Sequence, residues 1–280
     1  MTNEEEMRFA FGRNWKEYIE KRLSDERVET SRQRMLEFLG LQDLSGKTFL
    51  DIGCGSGIHS LAAFRSGARE IIGFDYDANS VLASKVCHQY AGRPQNWRIL
   101  QGSVLDEAFM RQLPQADIVY SWGVLHHTGD VWGAIRGAAG RVPQGALFYI
   151  ALYSADVQHP PRTAEFWLDV KRSYLKSSWL GKRRWEWWYI WNCMVDKKVA
   201  RLPELYMRMR SHKKDRGMDL MTDIRDWLGG WPMEFVYDAE ATRFCEQLGF
   251  KLERMDTGKA NTEFLFRRVG VAQRDAAPAG

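Results

Sequence analysis

Five short apolar runs alternate with helical patterns between residues 47 and 153, and this alternation constrains the fold more than any other feature of the chain. The runs are KTFLDI (47–52), EIIGFD (70–75), WRILQ (97–101), DIVYSW (117–122) and ALFYIALY (146–153), and the helical stretches are 58–66, 78–91, 105–113 and 130–141. Runs this apolar are typical of strands buried on both faces. The pattern therefore predicts an α/β fold, in which a parallel sheet is covered by helices on both faces.

The N-terminal residues 1–46 carry a helical pattern that ends at Gly40, and they predict an N-terminal helical cap on the sheet. Four aromatic residues precede or open this pattern, namely Phe9, Phe11, Trp15 and Tyr18. They suit either a lid that excludes water from a bound molecule or ordinary packing of an amphipathic helix.

The alternation stops after Tyr153. A turn-rich linker and a long, mostly helical stretch follow, and we interpret residues 154–237 as a helical insertion. A helix at 238–250 and strands at 251–257 and 261–268 then close the sheet, and 269–280 lacks periodicity, as in a disordered tail. The predicted domains are thus the cap at 1–46, a sheet domain formed by 47–153 and 238–268, the insertion at 154–237 and the tail.

The turn that follows the first strand reads FLDIGCGSGIHS, with Asp51 at the end of the strand and glycines at 53, 55 and 57. Glycine lets the backbone approach a ligand without a clash at Cβ, so the turn indicates a cofactor site. Asp75 ends the next strand, where its carboxylate is placed to accept hydrogen bonds from a ribose diol. The glycine turn and Asp75 alone do not distinguish hydride transfer from other reactions.

The glycine turn, the acid ending the second strand and the segment SWGVLHH that begins at Ser121 resemble class I S-adenosylmethionine-dependent methyltransferases. More closely, the pattern is similar to the small-molecule methylase branch that includes ubiquinone-biosynthesis enzymes. The resemblance implies S-adenosyl-L-methionine as cofactor. It also implies a Rossmann-like, seven-stranded, mostly parallel sheet whose last two strands form an antiparallel edge.

The resemblance implies roles for the turn and the acids around it. Asp51 would orient the turn and the cofactor's amino group. Gly53, Gly55 and Gly57 would let the backbone face the methionine and ribose, and Asp75 would hold the ribose hydroxyls.

Further contacts carried over from the family lie at the ends of the other strands. Tyr76 would flank the adenine, Ser103 and Val104 would lie at the adenine edge, and Ser121 and Trp122 would line the methionine end near the reactive methyl group.

Two more acids precede helical patterns. Asp106 is another candidate for the adenine edge, unless it caps the following helix, and Asp77 is a better N-cap candidate than Asp75.

A dinucleotide-dependent oxidoreductase is the natural competitor. Dinucleotide binding would require a third glycine three residues after the second, where a helix packs closely and a pyrophosphate enters. Ile58 occupies that position. Since S-adenosylmethionine carries no phosphate, this difference favours the methyl donor.

His126 and His127 follow the fourth strand, at the edge where open parallel sheets bind their ligands. A histidine there is suited to remove a proton from the acceptor at neutral pH, so both are candidate catalytic residues. The alternative is that one bonds a backbone carbonyl and the other packs under the sheet. A metal is not expected, because adjacent residues point in different directions and no third ligand is apparent.

The insertion is basic and rich in tryptophan. Residues 171–216 contain 14 Lys and Arg against 4 Asp and Glu, in a chain whose net charge is +4. This segment suits a pocket for an apolar or aromatic acceptor with an acidic group, RNA contacts, an anionic membrane surface or a homodimer interface. Near its end, Trp231 and Glu234 are candidates for the acceptor side.

Other classes of protein are disfavoured by the composition. The chain has no apolar run of about 18 residues, so a transmembrane span is not expected. Its N-terminus is acidic, which is not typical of a signal peptide. Its four cysteines form no C-x-x-C pair, which favours the cytoplasm. We therefore predict a methyltransferase acting on an oxygen or nitrogen of a small molecule. An RNA (tRNA) methyltransferase and a catalytically silent binding module are the alternatives.

Overall fold

The computed structural model describes residues 19, 23–201, 203–205, 207 and 220–270, with the backbone alone at residue 222. Several predictions lie outside these described residues. They are the lid residues Phe9, Phe11, Trp15 and Tyr18 and the predicted tail from residue 271 onwards.

Seven strands form one sheet in the order β3-β2-β1-β4-β5-β7-β6. The strands are β1 Thr48–Ile52, β2 Glu70–Asp75, β3 Trp97–Gln101, β4 Ile118–Trp122, β5 Leu147–Tyr153, β6 Phe250–Thr257 and β7 Asn261–Arg268. The first five run parallel, whereas β7 is antiparallel to both β5 and β6. The predicted Rossmann-like, mostly parallel seven-stranded sheet with an antiparallel closing pair is confirmed.

Helices cover both faces of this sheet, also as predicted. The helices of the described residues are α1 Asp25–Leu39, α2 Ile58–Arg65, α3 Ala78–Tyr90, α4 Glu107–Gln112, α5 Val131–Ala139, α6 Ala164–Lys176, α7 Trp179–Tyr189, α8 Leu220–Gly229 and α9 Asp238–Gln247, of which α6 to α8 lie in the segment 154–237. A 3-10 turn at Leu125–His127 follows β4, and a π-helical turn at Ile190–Met194 extends α7. The helix predicted at 238–250 ends earlier, because Gly249 has φ of +87° and Phe250 opens β6.

Two apolar clusters lie on the two faces, because successive strand residues point to opposite sides. Phe49 of β1 packs in the cluster shared with α1 and α2, whereas its neighbour Leu50 packs with α5 and α9. Phe148, fully buried in β5, belongs to the second cluster. Truncating a side chain of this size in a packed core typically costs about 3–5 kcal/mol of stability.

Side-chain caps fix the helices that begin at the carboxyl ends of strands. Asp77 accepts a hydrogen bond from the Asn79 N–H at 2.8 Å, which confirms it as the N-cap of α3. Asp106 accepts from the N–H groups of Ala108 and Phe109 and caps α4. The capping alternative is therefore the role that the structure shows for Asp106.

The segment 154–237 leaves and rejoins the sheet at one place. Ser154 and Val236 form a parallel bridge, with the Ala155 N–H donating to the Val236 carbonyl at 2.9 Å and the Val236 N–H donating to the Tyr153 carbonyl at 3.0 Å. Between these ends, α6, α7 and α8 pack around a third apolar cluster that includes Trp167.

Candidate cofactor and acceptor site

The glycine turn is closed by its own backbone hydrogen bonds. The N–H groups of Gly53 and Cys54 both donate to the Phe74 carbonyl, at 2.8 and 2.9 Å. Gly53, Gly55 and Gly57 have φ of +71°, +51° and +80°. This left-handed region favours glycine, and a Cβ at Gly53 would also lie 2.3 Å from the Val124 side chain. The turn thus holds bare backbone at the carboxyl ends of β1 and β2.

Asp75 binds this turn directly. One carboxylate oxygen accepts the Gly55 N–H at 3.0 Å, and the other accepts the Asp77 N–H at 2.9 Å. Burial raises the pKa of Asp75 to about 6. Because a carboxylate has about four acceptor positions, these two bonds leave capacity for the hydroxyls of a ribose. The structure therefore brings together Asp75 and the glycines, as the sequence pattern predicts.

Asp51 lies beneath the same turn. It is buried and accepts a 2.5 Å hydrogen bond from the Ser60 hydroxyl. Burial and, to a smaller extent, the charge of Asp75 raise its pKa to about 7, although the Ser60 hydrogen bond acts in the opposite direction. A ligand with a positive charge or with N–H donors would stabilise the ionised form of both carboxyls.

Two aromatic side chains at the same edge of the sheet are exposed to solvent. Tyr76 after β2 is 56% exposed and Trp122 at the end of β4 is 43% exposed, which is unusual for side chains of this size in a folded domain. Ser103 is half-buried, and its hydroxyl accepts the Leu105 N–H at 3.2 Å. All three lie at carboxyl ends of strands, where the proposed cofactor contacts require them.

The side chains of Ser121 and Val104 are buried and do not face the open edge. Ser121 is fully buried and its hydroxyl donates to the Ile52 carbonyl at 3.0 Å. It points away from the face of Trp122 because successive strand residues alternate. Val104 is buried in the apolar cluster shared with α4 and α5. Neither side chain is placed to contact a ligand as the resemblance implies.

His126 and His127 both bond the backbone of a neighbouring segment. His126 is buried and its Nδ1 accepts the Tyr153 N–H at 3.3 Å, so its Nε2 carries the hydrogen. His127 donates from Nδ1 to the Pro232 carbonyl at 2.7 Å. Burial lowers the pKa of His127 to about 4 and lowers that of His126 as well. These contacts favour the alternative in which the two histidines hold neighbouring backbone in place over a role as catalytic base.

The return segment after α8 meets these histidines. The Glu234 N–H donates to the His126 carbonyl at 2.9 Å, and the Glu234 carboxylate accepts the Val131 N–H at 3.0 Å. Glu234 therefore ties the return segment to the first residue of α5, whose N-cap is Asp130, and its contact with an acceptor stays a prediction. Trp231 is 7% exposed and is not open to a ligand.

Apart from the buried Trp231, the tryptophans of segment 154–237 divide into two groups. One group packs in the third apolar cluster, namely Trp167, Trp185, Trp188 and Trp227. The other group is exposed, with Trp179 and Trp187 each 68% exposed and Trp191 41% exposed. Lys171, in the basic part of the segment, is buried, donates to the Trp227 carbonyl and lies 4.5 Å from the centre of the Trp227 ring. Burial lowers the pKa of Lys171 to about 7.

His59 is the residue that sequence reasoning missed. It stands in the quoted turn, two residues after Gly57, and its ring centre lies 5.1 Å from that of Tyr120 and 6.3 Å from that of Trp122. Its position in the first turn of α2, beside the glycines, was the available signal.

Two features are absent from the part of the chain that the structure describes. No three of its His, Cys, Asp and Glu side chains are grouped as a metal ion would require. No helix there is both long and apolar enough to cross a lipid bilayer.

Comparison with known proteins adds to this geometry. A family model described as a methyltransferase domain matches residues 18–192. The solved structure of magnesium protoporphyrin IX methyltransferase from Synechocystis PCC 6803, with bound SAH, is 14% identical with a TM-score of 0.50, over 86% of this chain and 83% of that chain. An S-adenosylmethionine-dependent methyltransferase from Mesorhizobium loti is 15% identical with a TM-score of 0.52, over 85% and 98%. At these identities the structural likeness shows the fold alone.

Among curated proteins, the ribosomal protein L11 methyltransferase of Vibrio parahaemolyticus is 56% identical over 50 residues. This match covers 18% of the present chain and 17% of the relative. The chain therefore spans only about a sixth of the length of the curated relatives that it matches.

Proposed function

The chain belongs to the methyltransferase domain family, and on that premise we propose that it transfers the methyl group of S-adenosyl-L-methionine to an oxygen or nitrogen of a small-molecule acceptor. The observation that carries the proposal is the Asp75 carboxylate bound to the Gly55 N–H, at the edge where β1 and β2 end. We assign the chain to the small-molecule branch, with an acceptor that is aromatic or apolar and bears an acidic group.

The residues present fit this cofactor. S-adenosylmethionine supplies an activated methyl group on a sulfonium and carries an ammonium as well. The buried carboxyls of Asp51 and Asp75 lie where positive charge would lower their raised pKa values. Asp75 would hold the ribose hydroxyls, Tyr76 would flank the adenine and Trp122 would border the methyl group.

Because the methyl group is already activated, the enzyme mainly has to align the acceptor and exclude water. The glycine turn provides the floor for this alignment, since its N–H groups are held by the Phe74 carbonyl and the Asp75 carboxylate.

Isothermal titration calorimetry tests the central claim. The purified chain should bind S-adenosylmethionine and S-adenosylhomocysteine and should not bind NAD under the same conditions. Preference for NAD, or binding of none of the three, would contradict the proposal.

We also propose the cytoplasm as the location. All four cysteines are free, and Cys54, Cys87 and Cys245 are buried, as in proteins of reducing compartments.

One observation favours a second candidate, an RNA acceptor. Trp179 and Trp187 are exposed on α7, and Arg184 of the same helix is exposed beside them. Aromatic faces interleaved with arginine suit base stacking and phosphate contacts. Fluorescence anisotropy with a labelled RNA supports this candidate if affinity falls steeply with salt and is reduced in Trp187→Ala.

A further inference from the structure

Large apolar side chains are exposed on the outer face of α7 and of the π-helical turn that extends it. Leu180 is 67% exposed, nearly as much as its neighbour Trp179. Leu180, Trp187 and Trp191 follow one another at intervals of seven and four residues, which places them on one face of the helix. We name Trp179, Leu180, Trp187 and Trp191 the α7 surface. A group of exposed apolar side chains usually marks an interaction site, whereas a single one needs no explanation.

The inner face of the same helix is already packed against the protein. Trp185 and Trp188 contact the third apolar cluster. Glu186 is buried beside them and accepts hydrogen bonds from Arg183 at 2.6 Å and from Arg225 at 3.1 Å. These contacts fix the rotation of α7 about its axis, so the α7 surface faces outwards. A helix that is apolar on both faces is normally enclosed on both, and the described residues enclose only the inner one.

Positive charge surrounds the α7 surface. Residues 176–201 contain seven Lys and Arg against two Asp and Glu. The Lys197 N–H donates to the Trp191 carbonyl at 2.9 Å, so the exposed Lys197 and Lys198 lie beside the end of the surface. The exposed Arg184 lies one helical turn before Trp187. Apolar side chains ringed by positive charge indicate a partner that is both apolar and anionic.

A lipid bilayer fits this chemistry better than RNA does. The Arg183 guanidinium lies 5.6 Å from the centre of the Trp179 ring and is held there by Glu186, so one face of this ring is covered and only the other is open to a base. Leu180 has no ring on which a base could stack. Both side chains gain from burial among acyl chains, and Trp is favoured together with Lys and Arg at the bilayer interface.

A second copy of the chain is also a poorer fit. An isologous dimer would bring the same basic surface of each copy together and set like charges against each other.

We propose that the α7 surface docks on a bilayer that contains anionic phospholipid. Leu180, Trp187 and Trp191 lie at the boundary between headgroups and acyl chains, and the neighbouring lysines and arginine lie against the lipid phosphates. The 11 residues of α7 measure about 17 Å, roughly half the thickness of the hydrocarbon core, so the helix lies along the membrane surface. The inference does not depend on the proposed function, because the α7 surface belongs to segment 154–237 and not to the cofactor edge.

The test is sedimentation of the full chain with vesicles of phosphatidylcholine alone and with vesicles of an equimolar mixture of phosphatidylcholine and phosphatidylglycerol. One variant combines Leu180→Gln with Trp187→Gln, and its control is Leu82→Gln, at an exposed leucine of α3. A second variant combines Lys197→Gln with Lys198→Gln. Its control combines Lys251→Gln with Lys259→Gln, at two exposed lysines in and beside β6. Circular dichroism checks that each chain is folded.

We expect the wild-type chain to sediment with the mixed vesicles and much less with phosphatidylcholine alone. The variant at Leu180 and Trp187 should lower the partition coefficient at least about tenfold, because both side chains lose apolar burial. The variant at Lys197 and Lys198 should lower binding to the mixed vesicles roughly 30-fold, since each lysine near an anionic surface contributes a factor of about five. Both controls should bind like the wild type.

Four outcomes would overturn the inference. The first is a folded wild-type chain that ignores the mixed vesicles, and the second is equal binding to both kinds of vesicle. The third is binding that is unchanged when Leu180 and Trp187 are replaced. The fourth is binding of a labelled RNA, or dimerisation seen by light scattering, that depends on these two residues in a chain that does not bind vesicles; the α7 surface would then belong to that partner.

Discussion

Replacing Asp51 by Asn is expected to change how the stability of the cofactor-free enzyme depends on pH. The folded protein holds the pKa of Asp51 at about 7, whereas the ordinary value is 3.8. Between these values the unfolded chain releases a proton that the folded chain keeps. The free energy of unfolding therefore falls as pH rises towards 7 and levels off above it.

The size of this decrease follows from the one proton that the folded carboxyl of Asp51 keeps and the unfolded chain releases. From pH 5 to pH 7 this proton lowers the free energy of unfolding by about 2 kcal/mol, because at pH 7 the folded carboxyl is half ionised. In D51N the amide oxygen still accepts from the Ser60 hydroxyl, but no charge develops, so this decrease disappears. Buried His59 and His127 act in the opposite direction, since the unfolded chain protonates them below about pH 6.5 and stability falls there. The difference between D51N and the wild type at each pH therefore isolates Asp51.

Urea denaturation followed by circular dichroism at pH 5, 6, 7 and 8 measures this difference. We expect D51N to gain about 3 kcal/mol relative to the wild type between pH 5 and pH 8. D169N, which changes an exposed carboxylate of α6, serves as the control and should show a constant difference. An equal effect of D51N at pH 5 and pH 8 would refute the raised pKa. Calorimetry should also show weaker cofactor binding by D51N.

Three further predictions concern the turn and the buried lysine. Asp75→Ala removes the acceptor for the Gly55 N–H and should weaken S-adenosylmethionine binding by roughly 1–3 kcal/mol in calorimetry; unchanged affinity would argue against its role. Gly53→Ala should destabilise the fold by about 2–5 kcal/mol, because φ is +71° and the new Cβ meets Val124. Combining Gly53→Ala with Val124→Ala should restore the part of the stability that the clash with Val124 removes. If urea denaturation shows no such gain, the clash is not the cause of the lost stability. In the wild type, stability should rise with pH above 7 by at most about 1.4 kcal/mol per pH unit, since folded Lys171 loses a proton that the unfolded chain keeps. Lys171→Met should abolish this rise, and a slope equal to that of the wild type would contradict the lowered pKa.

The sheet was predictable because buried parallel strands consist of uninterrupted apolar runs. The run at 97–101 matches β3 residue for residue, and the run at 70–75 matches β2. The meeting of Asp75 with the glycine turn was predictable for a related reason, since adjacent parallel strands end at the same edge.

Side-chain direction was harder to predict, although part of the signal was present. Ser121 is buried and Trp122 is open, as the two-residue period of a strand requires once Trp122 is placed outwards. The partners of the histidine pair were not predictable, because His127 bonds Pro232, which lies 105 residues away.

The bridge between Ser154 and Val236 has a consequence for how such an enzyme can change. The chain departs from the sheet and returns to it side by side, so the sheet closes without help from the 81 residues that lie between them. We expect the segment between Ser154 and Val236 to be exchangeable, because a change in its length or composition leaves the register of every strand unchanged. Selection can then alter what the exposed tryptophans touch, provided that the contacts of Pro232 and Glu234 with the histidine turn and α5 are kept.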